Sequence, residues 1–300
     1  MAVEFPEWTS SDPCPSGYQG ADSFSIFVFH GLQERLGTAF YDVRGEMRWA
    51  RKADILIMGN SRSEMGFRDI AVRRFEKSTG LRIYNLSFAG NNCDFMSTLM
   101  EKNQLFPRLI LLNQDSFFAS TMGGEEKTVM GDSEWHVRSN IYAGYAQWLV
   151  KDYVDKLMPA LNILRADWVR PYSRHYSPFT GCILSYDPLW KQGSPLGAKL
   201  EDGFIKPQNW GSAREFVKRM RDRGAQVVLI KVPNRTNAER VVCEAKALGV
   251  PVITPKVSDL RTMDGDHLNQ VSADRFADAV FKELVRLPQF EHLRIQGTAK

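Results

Sequence analysis

The sequence has no long apolar run, no block of like charges and no paired cysteine motif. The longest apolar stretch near the start, IFVF at 26 to 29, is too short for a signal core or a membrane span. As written, the chain is therefore expected to be soluble: cytoplasmic if complete, extracytoplasmic (periplasmic) if it is a domain excised from a longer protein. Lys and Arg number 39 against 35 Asp and Glu, and without clustering a net charge of +4 gives no footprint for nucleic acid. The cysteines, Cys14, Cys93, Cys182 and Cys243, show no C-x-x-C spacing, which excludes the usual zinc sites and a disulfide scaffold. No metal site or cofactor motif is visible, and no internal repeat or low-complexity tract.

What is present is enough apolar material for a real core, 43% of 300 residues. It is arranged as short apolar runs alternating with amphipathic segments, the pattern of an α/β domain with a parallel sheet. Residues 54–59, 82–86, 108–113, 226–232 and 250–254 are predicted strands. Helices are predicted over Ile70 to Ser78, Asp94 to Leu105, Ala213 to Arg223 and Asn237 to Leu248, with Gly224 and Gly249 where left-handed caps are needed. A closing helix, Ser272 to Leu287, carries Phe276, Val280 and Leu284 at four-residue spacing and stops before Pro288.

The expected organisation is an N-terminal arm and helix over 1–53, with the helix from about Ser23 to Lys52, an α/β domain over 54–287, and a tail over 288–300. An aromatic-rich insertion, 116–209, follows the third strand, and a helix is expected in it from Asn140 to Leu157. It contains Trp135, Trp148, Trp168 and Trp190 and six of the nine tyrosines, Tyr172 among them. Such residues are either core or a substrate-binding cap whose aromatic faces suit sugars; Trp135 and Tyr172 are the first candidates for that role.

Open parallel sheets bind ligands at the carboxyl ends of their strands. Gly59-Asn60-Ser61-Arg62, NLSFAGNN (85–92), Asn113-Gln114-Asp115 and TMDGDHLN (262–269) all converge on that edge. Ser61 begins a helix, so it is a nucleophile, part of an anion-binding turn, or a helix cap. A nucleophilic serine needs a base, an acid that fixes the imidazole tautomer, and N–H donors for the oxyanion. Asp264-x-x-His267 supplies the first two, with Asp266 as the rival acid. Arg62 is either a substrate contact or a buried ion-pair residue. His30, His136, His175 and His292 have no motif partner.

Gly-x-Ser after the first strand, a glycine in an Asn-rich loop after the second and Asp-x-x-His before the last helix together resemble the SGNH, or GDSL-like, hydrolase superfamily. The GNSR form is similar to branches that include bacterial polysaccharide O-acetyltransferases. The resemblance spans roughly 54–115 and 211–287. It implies a flavodoxin-like three-layer α/β/α sandwich with a five-stranded parallel sheet. It also implies Ser61 as nucleophile, His267 as base, Asp264 as orienting acid, and the N–H groups of Ser61 and Gly90 as oxyanion donors. The family's third donor is an asparagine side chain after the third strand. Here Asp115 takes that position, leaving Asn113, or Asn91 or Asn92, as the substitute. The implied activity is serine-dependent ester hydrolysis or O-acyl transfer, on an acylated carbohydrate or polyol or a small acyl ester, with no cofactor. A transferase would also draw on a membrane-associated acyl donor. The competing readings are a non-catalytic SGNH-like module that binds carbohydrate or a partner, and a flavodoxin-like anion-binding domain.

Overall fold

The computed structural model describes residues 24–27, 33–43, 45–88, 92–115, 117–143, 146, 173–177, 179–185, 194–195, 209–234 and 238–297. All five expected strands form: β1 (Ile55–Met58), β2 (Ile83–Asn85), β3 (Leu109–Asn113), β4 (Gln226–Ile230) and β5 (Val252–Ile253). They make one parallel sheet in the order β2-β1-β3-β4-β5, with Leu56 opposite both Tyr84 and Ile110, and Leu111 opposite Val228. Helices cover both faces, which is why the strands are unbroken apolar runs rather than alternating ones. The architecture is the expected flavodoxin-like three-layer sandwich.

Alternate residues of each strand feed two separate cores. Leu56, Met58, Ile110, Leu112, Val227 and Leu229 pack against α3 (Cys93–Lys102) and α4 (Trp210–Asp222). Ile55, Ile57, Leu109, Leu111, Val228 and Ile230 pack against α2 (Asp69–Thr79) and α6 (Gln270–Leu284), where Phe276, Val280 and Leu284 are fully buried. α5 (Ala238–Leu248) completes the crossover between β4 and β5. Gly224 and Gly249 have φ of 82° and 64°, the left-handed conformation anticipated at those helix ends. Cys93, Cys182 and Cys243 are free thiols, and burial first of all pushes that of Cys93 up to about 12.

Two sequence expectations are corrected and a third is extended. Ser23 to Lys52 is not one helix: Phe24–Phe27 is a strand, and Gln33–Phe40 and Met47–Ala50 are separate helices. Asp42 (φ 48°) and Gly45 (φ 67°) break the chain between those helices, and Asp42 Oδ1 accepts the N–H of Met47 at 2.9 Å. Pro288 does end the preceding helix, but it also starts another, Pro288–Gly297, in place of a tail. Proline suits a first helical position because its missing N–H is not needed there, and Phe290 and Leu293 anchor that helix on the second core. In the insertion, the helix expected from Asn140 is present and begins earlier, at 134; residues 134–143 and 146 are helical, and 144–145 and 147–157 lie outside the described residues. The insertion also supplies the helix Gly124–Gly131 and the strands Ser173–Tyr176 and Ile183–Ser185, the former pairing antiparallel with Phe24–Phe27.

At the end of α2, the Glu76 carboxylate accepts the N–H of Ile83 at 2.8 Å. Burial raises its pKa to about 7 from 4.5, more than the Ile83 N–H and Arg73 lower it. The folded chain thus holds a proton that the unfolded chain gives up, so this contribution is complete below pH 4.5 and is lost as the pH rises through 7. Glu76→Gln keeps the acceptor and removes the charge. It should raise stability at pH 8 by roughly 2 to 3 kcal/mol and flatten the profile between about pH 4.5 and 7, measured by urea unfolding. A variant no more stable than wild type at pH 8 would show that Glu76 ionises without cost.

Candidate active site

β1 runs out at Met58 into a turn that only glycine can open. A Cβ on Gly59 would sit 2.1 Å from Ser63 Oγ and 2.6 Å from Asn113 Cβ. Asn60 follows with extended backbone and caps α1 (Ser61–Gly66), its Oδ1 accepting the N–H of Arg62 at 3.1 Å. The cap role open to Ser61 in the sequence therefore belongs to Asn60, which also uses the Arg62 N–H that an anion-binding turn would offer. Ser61 is left as the first helical residue, with an N–H the helix does not use. Its Oγ lies 2.9 Å from Nε2 of His267.

His267 sits in the loop between the short strand Arg261–Thr262 and α6. The loop is closed by bonds from Met263 N–H to His267 O (2.8 Å) and from Gly265 N–H to Thr262 Oγ1 (2.9 Å). Asp264 shapes it further: Oδ1 accepts the N–H groups of Asp266 and His267 at 3.0 and 2.8 Å, while Oδ2 lies 2.7 Å from His267 Nδ1. Partial burial raises the Asp264 pKa, but the His267 and Asp266 N–H groups and the imidazole outweigh it and hold the carboxyl below its ordinary range. An ionised Asp264 makes Nδ1 the donor and leaves Nε2 as the acceptor for the Ser61 O–H. Between the two candidate acids, Asp264 faces the imidazole; Asp266 turns to Arg62.

Asn113 and Arg62 both belong to a buried polar network. Asn113, proposed as an oxyanion donor, is wholly buried and fully used: Nδ2 donates to Asn60 Oδ1 (3.1 Å) and Asp115 Oδ2 (3.2 Å), and Oδ1 accepts the Val232 N–H (3.2 Å). Of the two readings of Arg62, the ion pair is the one present, its Nη1 and Nη2 engaged by Asp115 and Asp266. Asp115 also takes Lys231 Nζ at 2.7 Å and Asn234 Nδ2 at 2.9 Å. Burial works to raise its pKa, yet Lys231 and Arg62 keep the carboxyl below the ordinary range. Sequence reading missed this buried pair, although a lysine inside the apolar run QVVLIKV was its signal.

Gly90, Asn91 and Tyr172 lie outside the described residues. Asn92, the remaining alternative donor, caps α3, its Oδ1 accepting the Phe95 N–H at 2.9 Å. Trp135 is 77% exposed on helix 134–143, which buries Val137 and Ile141 against Val43 and Tyr41.

The insertion reaches the site through other residues. The Tyr176 hydroxyl donates to buried Glu64, one helical turn after Ser61, at 2.5 Å. Tyr176, Ile183 and Met65 form an apolar cluster with Met263, the neighbour of Asp264. Ser194–Pro195 pairs with Arg261–Thr262 at the base of the His267 loop. Buried Glu126 accepts the N–H of Asn92, the cap of α3, at 2.8 Å. The insertion is thus built into both segments that carry Ser61 and His267.

A hydroxyl, an imidazole and a carboxylate in hydrogen-bonded series, at the carboxyl edge of a parallel sheet, have the geometry of a serine nucleophile with its base and orienting acid. Among the described residues no three His, Cys, Asp or Glu side chains cluster as metal ligands, and no helix is long and apolar enough to cross a membrane. Comparisons with family models, curated proteins and solved structures find no match.

Proposed function

We propose that this chain is a serine-dependent esterase or O-acyltransferase of the SGNH, or GDSL-like, type. Its substrate would be an acylated carbohydrate or related polyol. One observation carries the reading: Ser61 Oγ, His267 and Asp264 stand in series at 2.9 and 2.7 Å, contributed by the start of α1 and a loop 206 residues later. In this reading Ser61 Oγ attacks the ester carbonyl as its proton passes to His267 Nε2, and Asp264 stabilises the resulting imidazolium. The oxyanion is met by the Ser61 N–H at the start of α1. Collapse breaks the C–O bond and returns the proton to the departing alcohol. Water or an acceptor hydroxyl, deprotonated in turn by His267, then resolves the acyl-enzyme. The substrate class rests on the insertion's aromatic content, with Trp135 presented to solvent.

The engagement of Asn113 and the carboxylate of Asp115 in place of an amide favour a second reading, a binding module that keeps the fold without turnover. A fluorophosphonate separates the two. An active serine should form a stoichiometric adduct that peptide mapping places on Ser61, and prior labelling should abolish hydrolysis of 4-nitrophenyl acetate. A folded, unlabelled protein would exclude the esterase.

A further inference from the structure

Two residues beside the reacting pair are themselves paired. Arg62 follows Ser61, Asp266 precedes His267, and Arg62 Nη2 meets Asp266 Oδ2 at 2.5 Å. The same guanidinium places Nη1 3.0 Å from Asp115 Oδ2, and Asp115 Oδ1 lies 2.7 Å from Lys231 Nζ. The result is a chain of alternating charge, Lys231–Asp115–Arg62–Asp266. It runs from the end of β4, where Lys231 and Asp115 are almost wholly buried, out to the loop that holds the imidazole.

We propose that this chain is a clamp that sets His267 against Ser61, with Asp115, Arg62 and Asp266 as positioning residues. The inference rests on the proposed serine chemistry and deepens it. Its anchoring end is rigid because Asp115 also takes amides from Asn113 and Asn234, and Asn113 in turn holds Asn60, the cap of α1. Its distal end is a single ion pair on a loop, and Asp264 binds the N–H of the residue being held. A carboxylate at the position where the SGNH pattern carries an amide is thus accounted for by what it holds. Restoring the amide with Asp115→Asn should lower the rate, because it strips buried Lys231 of its counter-charge.

Since that variant also endangers folding, the test uses the other end of the clamp: full-length wild type, Arg62→Gln, Asp266→Asn and the double variant. Asp115 keeps Lys231 in all four. Activated-ester hydrolysis should show kcat reduced about tenfold or more in each single variant, the scale of a supporting shell left loose. KM should stay within about twofold. The double variant should lose no more than the worse single one, because both changes cut the same link. Proton NMR should show the downfield Nδ1–H resonance of His267 broadened or lost in the variants. Wild-type kcat in the single variants, additive losses in the double, or losses confined to KM would overturn the clamp. If wild type neither labels at Ser61 nor hydrolyses ester, the proposed function fails separately. The resonance then decides the clamp alone: its loss in Asp266→Asn supports positioning, and its retention overturns it.

Discussion

Ser61→Ala should lower turnover of an activated ester by about 10,000-fold or more, with almost no change in fold stability. The large effect follows because, in the proposed mechanism, the atom removed is the one that would become covalently bound. The small one follows from the division of labour in the turn. Asn60 caps α1, so the Ser61 side chain contributes a hydrogen bond to His267 and nothing to the helix end. Loss of one such bond near the surface costs about 1 kcal/mol or less. Paired measurements of kcat and urea midpoint would check this. Turnover retained in the folded variant would remove Ser61 from the chemistry, and a loss of several kcal/mol would give it a structural duty that the geometry denies.

Asp264→Asn is the second large effect, about 1,000- to 10,000-fold in kcat. The amide oxygen can still accept the N–H groups of Asp266 and His267, so the loop should keep its shape. Its nitrogen then faces His267 Nδ1 as a donor and forces the imidazole into the tautomer with the proton on Nε2. That tautomer cannot take the proton of Ser61. The same substitution at Asp266 leaves the tautomer intact and loosens only the pair with Arg62, for the smaller loss expected of the clamp. Equal losses at the two positions, in variants that unfold alike, would require the acid to be reassigned.

How much of this was legible beforehand follows the range of the interactions. β1 to β5 each carry their own apolar residues and were readable one segment at a time. Ser61 and Asp264-x-x-His267 were readable because the carboxyl edge of such a sheet gathers its loops whatever their order in the chain. Phe24–Phe27 was not, since its strand partner is Ser173–Tyr176, and no local pattern announces a pairing across that distance. The choice of Asn60 over Ser61 as cap was equally hidden: both are good caps, and the backbone set by Gly59 and the bond from Asn113 decide between them. Arg62 was ambiguous for the same kind of reason, because its two carboxylate partners come from the turn after β3 and from the loop before α6.

The 206-residue separation of Ser61 and His267 also bears on how the molecule is made. Parallel strands and distant pairings raise the contact order, so the entropy of closing long loops must be met before native contacts reward it, and folding is slow. The loop of His267 is built on Arg261–Thr262, whose strand partner Ser194–Pro195 comes from the insertion. A nascent chain therefore carries Ser61 without its imidazole partner until 206 further residues have been added. The hydroxyl meets the imidazole only when the segment carrying β4, β5 and the His267 loop has emerged and joined the sheet.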